Sequence, residues 1–256
     1  DKTVLVTGAG PGLGAEVARL ALRDGANLVM AARKATRLEQ LAADLAEPDR
    51  VLAVPTDITD ADACASLVEA AVDRFGGLDA LAQVAARDTV IGRLADSEPD
   101  DFRACFETNV IGSLTVVEAA RPALAARGGG AIVLVGSQSS SLPVPAMPQI
   151  AYAASKGALE TATFHLADEL GPERIRVNLV VPTWMWGPPV EMYVDWQSSE
   201  RSVPPDEVVA EITRAMSIEE IPADEDVAEA IIWLCSDRAR MITGQTLKVN
   251  AGELKG

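Results

Sequence analysis

Tyr152 and Lys156 stand four residues apart, and this spacing can support proton exchange with a carbonyl or alcohol group. Residues at this spacing share one face of a helix. A free phenol has a pKa of about 10, so it is a poor base near neutral pH. Lowering that pKa to about 7 takes roughly 4 kcal/mol, which one ammonium group at about 4 Å supplies at an effective dielectric constant near 20. We therefore predict that Lys156 lowers the pKa of Tyr152.

A glycine-rich loop near the start of the chain has the types and spacing that bind a dinucleotide. It follows a β-branched run and precedes a helical pattern, and its members are Gly8, Gly10, Gly12, Leu13 and Gly14. Glycines in such a loop permit a tight turn, close approach to a pyrophosphate and close helix packing. The positive end of the following helix attracts the anion. The loop predicts a dinucleotide site at the end of the first strand.

Composition excludes several other kinds of function. The chain has 256 residues, one histidine, three cysteines and a formal net charge of −16. A single histidine and widely spaced cysteines argue against a metal site and against a disulfide framework. The strong negative charge argues against nucleic-acid partners and anionic membranes. We expect a cytoplasmic protein, with no metal, that acts on a small molecule.

Strand-like and helix-like patterns alternate along the whole chain and must position these groups. Apolar strands that alternate with helices predict a parallel sheet covered on both faces. The predicted strands are 3–7, 27–31, 51–55, 78–84, 131–136, 175–181 and 245–249. Seven of them make an α/β fold, a doubly wound Rossmann-type sheet in one domain over residues 1–256. Residues 100–127 predict one long helix, bent or broken at Pro122.

These motifs together resemble the short-chain dehydrogenase/reductase family over nearly the whole chain. The matching segments are Thr7-Gly-Ala-Gly-Pro-Gly-Leu-Gly14, Asp57-Ile58, Phe106-x-x-Asn-Val-x-Gly112, Tyr152-Ala-Ala-Ser-Lys156, Ile175-Arg-Val-Asn178 and Ile242-Thr-Gly-Gln-Thr-Leu247. The resemblance implies hydride transfer between a nicotinamide cofactor and a carbonyl or secondary alcohol, in a homotetramer or homodimer.

The resemblance also assigns catalytic roles. It makes Tyr152 the general acid and base, while Lys156 tunes it and holds the nicotinamide ribose. Asn109 bends its helix and holds a water that links Lys156 to solvent. A serine after the fifth strand polarises the substrate carbonyl. Strand register selects Ser137 for this role, whereas the distance to Tyr152 selects Ser139, so we take Ser137 first and keep Ser139 as a substrate contact.

Other positions predict which cofactor is bound. At the end of the second strand, Ala32 stands where an acidic residue would favour NAD, and Arg33 and Lys34 can pair with a 2′-phosphate. We therefore predict NADP(H), with stacking of Arg33 on the adenine of NAD(H) as the alternative. The resemblance implies five further cofactor contacts, at Asp57, Ile58, Ala85, Pro182 and Thr183. Two of them lie where the sequence departs from the family. The usual Asn-Asn-Ala-Gly around Ala85 reads Gln83-Val-Ala-Ala86, and Thr183 replaces a glycine.

A cluster of aromatic residues predicts a mobile apolar lid at about 183–222. Trp184, Trp186 and Tyr193 are the expected substrate contacts, and exclusion of water by the lid would suit a mainly apolar substrate. The alternative is that these rings pack against a neighbouring subunit.

Two other functions stay open. One is a non-catalytic dinucleotide-binding regulatory protein, which the altered fourth-strand motif allows. The other is a lyase or dehalogenase relative, but such relatives lack the glycine loop and have arginine in place of the lysine.

Overall fold

A computed structural model describes residues 2–144 and 147–255. Within them seven strands form one parallel sheet in the order β3-β2-β1-β4-β5-β6-β7. The strands are β1 (Thr3–Thr7), β2 (Asn27–Ala32), β3 (Val51–Pro55), β4 (Ala80–Gln83), β5 (Gly130–Val135), β6 (Ile175–Pro182) and β7 (Thr246–Val249). The order reverses between β1 and β4, so a crevice opens at their carboxyl ends. The predicted α/β fold, a doubly wound seven-stranded sheet in one domain, is confirmed.

Helices cover both faces of this sheet. They are α1 (Leu13–Arg23), α2 (Ala35–Leu45), α3 (Ala61–Phe75), α4 (Pro99–Phe106), α5 (Ser113–Ala126), α6 (Ile150–Leu170), α7 (Pro188–Arg201), α8 (Pro205–Thr213) and α9 (Asp224–Cys235). Alternate strand residues enter opposite cores: Val4 and Val6 pack with α1 and α9, while Leu5 packs with α3, α5 and α6. No helix of the described segments is long and apolar enough to cross a membrane.

The predicted long helix over 100–127 is interrupted at a different residue from the one expected. A π-helical turn, Glu107–Gly112, separates α4 from α5, and α5 continues through Pro122. Pro122 is exposed, so water can hydrate the carbonyl that loses its helical hydrogen bond there. The prediction of a break at Pro122 is wrong, because the distortion lies at Asn109, where a buried amide bonds outside the helix.

The segment 183–222 folds as a small helical unit with its own core. Val190 and Val194 of α7 pack with Val208 of α8, and with Met216 and Ile221. This cluster is separate from the two cores that flank the sheet. The sequence pattern had predicted a lid here but neither of its helices.

Candidate active site

The glycine loop after β1 is packed so tightly that two of its glycines cannot be replaced without a shift. Gly8 has φ +73°, and a Cβ atom built on it would lie 2.4 Å from the Ala85 backbone nitrogen. A Cβ built on Gly14 would lie 2.0 Å from the Gly8 carbonyl oxygen. The Gly8 N–H donates to the Ala31 carbonyl at 2.8 Å. The loop is therefore held between β2 and the residues that follow β4.

The other side of the loop is open. A Cβ built on Gly10 would meet nothing within 4 Å, and Gly12 has φ +93° immediately before α1 begins at Leu13. The Leu13 side chain is buried in the core and anchors the first turn. Because the amino end of a helix attracts anions, this open cradle fits the pyrophosphate of a dinucleotide.

The predicted adenosine contacts gather at the carboxyl ends of β2 and β3. Arg33 and Lys34 follow β2 and are exposed. The Arg33 guanidinium adds to a lowering of the pKa of Asp57, which comes chiefly from the hydrogen bond donated by the Thr59 N–H. Ile58 is buried against Gly112, since a Cβ on that glycine would lie 2.9 Å from Ile58 Cγ1.

Asn109 is fully buried in the π-helical turn, and its side chain bonds away from the helix. The Arg87 N–H donates to Asn109 Oδ1 at 2.7 Å, and Asn109 Nδ2 donates to the Arg87 carbonyl at 3.1 Å. Nδ2 also donates to Ser155 Oγ at 2.9 Å, and Ser155 lies between Tyr152 and Lys156 on α6. Asn109 thus joins the loop after β4 to the helix that carries the predicted catalytic pair.

Gln83, which stands where the family motif usually begins with asparagine, connects the glycine loop to this turn. The Thr7 hydroxyl donates to Gln83 Oε1, and Gln83 Nε2 donates to Ser113 Oγ at 2.6 Å and to the Ala85 carbonyl at 3.1 Å. Ser113 Oγ in turn donates to the Asn109 carbonyl at 2.7 Å. The available signal was a polar residue at the end of an apolar strand.

Tyr152 and the two candidate serines lie together. Ser137 Oγ and Ser139 Oγ are 2.9 Å apart, and the Ser137 side chain makes a hydrogen-bonding interaction with Tyr152. Ser137 is therefore the serine that bonds to the phenol, and Ser139 contacts the Ser137 hydroxyl.

The pKa of Tyr152 shifts in the opposite direction to the predicted lowering. Burial raises this pKa to about 12, and the Asp88 carboxylate adds to the rise, while the Ser137 interaction opposes it. Lys156 Nζ lies 5.7 Å from the Tyr152 ring centre and donates to the Val135 carbonyl at 2.6 Å. Burial lowers the pKa of Lys156 to about 8. The two groups share a helix face as predicted, but burial disfavours the charged form of each.

Polar side chains that the sequence analysis missed lie around Thr183, which follows Pro182 at the buried end of β6. The Thr183 hydroxyl donates to Glu253 Oε2, and Gln138 Nε2 donates to Thr183 Oγ1 at 3.4 Å. Asn250 Nδ2 donates to Gln138 Oε1 at 2.6 Å. The C-terminal residues thus join the site, which no local sequence pattern indicates.

The lid aromatics divide between two environments. The Trp184 and Tyr193 rings are 5.0 Å apart and pack against the lid's own core. The Trp186 side chain is outside that core and the residue is 40% exposed, while its backbone N–H donates to the Pro222 carbonyl at 2.7 Å. Trp184 and Tyr193 therefore belong to the core of the helical unit 183–222.

A cavity of about 450 Å³ lies beside the predicted catalytic groups. Ser139 and Ala153 line it, and Ala153 is the neighbour of Tyr152. Most of the remaining lining is apolar and comes from the loops after β4 and β5, including Leu94, Val144 and Met147.

The chain is similar to known proteins over nearly its whole length. A family model described as "Enoyl-(Acyl carrier protein) reductase" matches residues 8–253. The chain is 34% identical to A-factor type gamma-butyrolactone 1'-reductase (1S-forming) of Streptomyces virginiae, over 98% of this chain and 95% of that protein. It is 32% identical to dehydrogenase/reductase SDR family member 4 of Homo sapiens, over 98% of this chain and 87% of that protein. A crystal structure of a short-chain dehydrogenase/reductase, glucose/ribitol dehydrogenase, from Brucella melitensis superposes with a TM-score of 0.84 at 27% identity, covering 100% of this chain and 97% of that one.

Proposed function

Because the chain belongs to the short-chain dehydrogenase/reductase family, we propose that it transfers hydride between NADP(H) and a carbonyl or secondary alcohol of a mainly apolar substrate. The family makes it an oxidoreductase with a nicotinamide dinucleotide cofactor. The observation that carries the finer proposal is the meeting of Tyr152, Ser137 and Lys156 beside an apolar cavity.

The residues of the glycine loop and of the strand ends fit the cofactor. Gly8 and Gly14 have no room for a Cβ, whereas Gly10 borders open space. Arg33 and Lys34, both exposed after β2, would pair with a 2′-phosphate, which favours NADP(H) over NAD(H). The remaining contacts proposed are those of Gly12, Leu13, Asp57, Ile58, Ala85, Pro182 and Thr183.

When bound, the nicotinamide supplies or accepts the hydride. Tyr152 supplies the proton, and at neutral pH its phenol is protonated, since its pKa is about 12. A protonated phenol is the form that donates to a carbonyl oxygen, so Tyr152 is in the form that reduction requires. Ser137 would hold the same oxygen, and Asn109 fixes α6 through Ser155.

Lys156 has two binding partners in this proposal. In the described state its ammonium bonds to the Val135 carbonyl. Contact with the nicotinamide ribose would draw it from that carbonyl, and a nearer ammonium would lower the pKa of Tyr152. The oxidative direction depends on this change, because it needs a phenolate to accept a proton.

The cavity supports a mainly apolar substrate. Its lining from the loops after β4 and β5 is largely apolar, and Ser139 supplies a polar contact near the reacting carbon. Trp184, Trp186 and Tyr193 are proposed to close over it as parts of the lid. A subunit contact remains the competing role for the exposed lid residues Met192 and Trp196.

We propose a cytoplasmic homotetramer or homodimer, formed through α4, α5 and α6. The free cysteines Cys64, Cys105 and Cys235 suit a reducing compartment, and Ile111 and Phe164 expose apolar surface near or on these helices. The names of the relatives favour an enzyme over a regulatory binding protein. Gly8, Gly14 and Lys156 argue against a lyase or dehalogenase relative.

Replacement of Tyr152 by Phe tests the proposal. Turnover of a carbonyl substrate with NADPH should fall at least about 100-fold, while NADPH affinity should stay within about threefold of wild type, because only the proton donor is lost. Affinity is measured by nicotinamide fluorescence and turnover by absorbance. Retained turnover would refute the role of Tyr152, and equal turnover with NADH and NADPH would refute the cofactor preference.

A further inference from the structure

A half-buried carboxylate, that of Asp224, lies against the glycine loop. A Cβ built on Gly12 would lie 3.3 Å from Asp224 Oδ2, and a Cβ built on Gly187 would lie 3.1 Å from the same oxygen. The oxygen therefore lies between the loop that opens α1 and the residue that precedes α7. This is the pyrophosphate end of the proposed cofactor site.

Two long-range contacts hold Asp224 in this place. Asp224 is the first residue of α9 and lies two residues after Pro222. The Pro222 carbonyl accepts a hydrogen bond from the backbone N–H of Trp186 at 2.7 Å. Further along α9, Glu229 accepts from Arg23 of α1 at 3.1 Å, and the two helices share one core. The start of α9 is thus fixed to the lid on one side and to α1 on the other.

The charge of Asp224 is favoured only by the amino end of α9, which this residue begins. Across residues 2–144 and 147–255, no group donates a hydrogen bond to its carboxylate. Burial raises its pKa, and the negative charge of Glu16 on α1 adds to the rise, while Arg19 is paired with Glu16. A negative charge placed here meets an environment that already disfavours it.

We propose that Asp224 limits the affinity of this protein for its dinucleotide, by holding a carboxylate beside the position of the pyrophosphate. This inference rests on the proposed function, since it needs a dinucleotide in the cradle. Like charges at close range weaken binding and speed dissociation. The pyrophosphate is common to NADPH and NADH, so Asp224 weakens the binding of both and leaves the preference between them unchanged.

The test is titration of the full-length protein with NADPH and with NADH, followed by nicotinamide fluorescence. Asp224→Asn keeps the shape and removes the charge, so it should bind both dinucleotides about tenfold more tightly than wild type, a gain of about 1.4 kcal/mol. Raising the salt concentration should reduce the difference in affinity between Asp224→Asn and wild type, because salt screens the repulsion between the carboxylate and the pyrophosphate. A merely structural role for Asp224 would not produce that salt dependence.

Three further variants separate the outcomes. Glu225→Gln removes an exposed charge from the same turn and should leave both affinities within about twofold of wild type. Asp224→Glu keeps the charge and should show no gain. Arg33→Ala should weaken the binding of NADPH alone, which shows that the titration can detect a 2′-phosphate contact.

Two results would overturn the inference in different ways. Unchanged or weaker binding by Asp224→Asn, with wild type binding normally and both proteins melting at similar temperatures, would refute the role of Asp224 and leave the proposed function standing. Failure of wild type and every variant to bind either dinucleotide would refute the proposed function, and this inference with it.

Discussion

Replacing Gln83 by Leu should destabilise the protein strongly, although the size of the side chain hardly changes. Gln83 is 2% exposed and stands at the end of β4. Its amide accepts from the Thr7 hydroxyl and donates to Ser113 Oγ at 2.6 Å and to the Ala85 carbonyl at 3.1 Å. Leucine can make none of these three hydrogen bonds.

The magnitude follows from the groups that lose a partner. The Thr7 hydroxyl is fully buried and would keep no acceptor, while Ser113 Oγ would lose a donor but keep its bond to the Asn109 carbonyl. A buried polar group left without its partner costs about 1–3 kcal/mol, so Gln83→Leu should lose roughly 2–5 kcal/mol of unfolding free energy. For a domain of this size each kcal/mol lowers the melting temperature by about 2–4 °C, which gives a fall of roughly 4–20 °C.

The assay is urea unfolding and thermal melting, followed by circular dichroism. Gln40→Leu is the matched control: Gln40 is exposed on α2 and bonds only to Asp44 within its own helix, so its loss should stay within about 0.5 kcal/mol. Because Ser113 supports the turn that holds Asn109, kcat of the folded Gln83 variant should also fall while KM for the cofactor changes less. A loss of stability below about 1 kcal/mol would refute the view that this amide joins the two loops.

Three further predictions concern the same site. Gly14→Ala should destabilise the protein by more than about 2 kcal/mol, since its Cβ would lie 2.0 Å from the Gly8 carbonyl oxygen. Gly10→Ala should cost less than about 1 kcal/mol, because its Cβ would meet nothing within 4 Å, and urea unfolding of both variants measures the two values. The pKa of Lys156 falls to about 8 on folding, so from pH 8 to pH 10 the unfolded state binds more protons at this residue, and its contribution to stability rises by up to about 2 kcal/mol. Folding raises the pKa of the thiols of Cys64, Cys105 and Cys235, which acts in the opposite direction in every variant, so each variant is compared with wild type at the same pH. In a melting series over this range wild type should gain up to about 2 kcal/mol relative to Lys156→Met and nothing relative to the exposed-site variant Lys34→Met, whereas a constant difference between wild type and Lys156→Met would contradict the assignment. Ser137→Ala should lower kcat about 100-fold and Ser139→Ala less than about tenfold, because Ser137 is the serine that bonds to the phenol; the reverse order would select Ser139.

The parts of the fold that the sequence predicted correctly are those that depend on the pattern of residues within one short segment. Strand and helix periodicity gave all seven strands and their parallel arrangement, because each element buries one defined set of residues. The break at Pro122 was predicted wrongly because that prediction also used only a local signal. A proline is a local signal, whereas the turn at Asn109 is distorted by hydrogen bonds to Arg87 and Ser155, which the chain brings close only on folding.

The candidate site could likewise be predicted from the sequence only in part. Tyr152 and Lys156 could be found from their spacing on one helix, but spacing could not give the direction of their pKa shifts. Those shifts depend chiefly on burial and also on Asp88, which lies outside the helix that carries the pair. The role of Gln83 was also missed, since a change from the family's motif shows which contacts are lost and not which contacts replace them.

The sequence by itself therefore determined the family, the sheet, the glycine loop and the candidate proton-transfer pair. Each of these is written in short segments whose geometry follows from helix and strand periods or from glycine's freedom to adopt positive φ. The tertiary structure alone decided that Lys156 rests on a strand carbonyl, that Glu253 reaches Thr183 and that Asp224 lies against Gly12. The physical reason is that desolvation and charge proximity depend on distances between elements remote in the chain, and only packing of the helices on the sheet sets those distances.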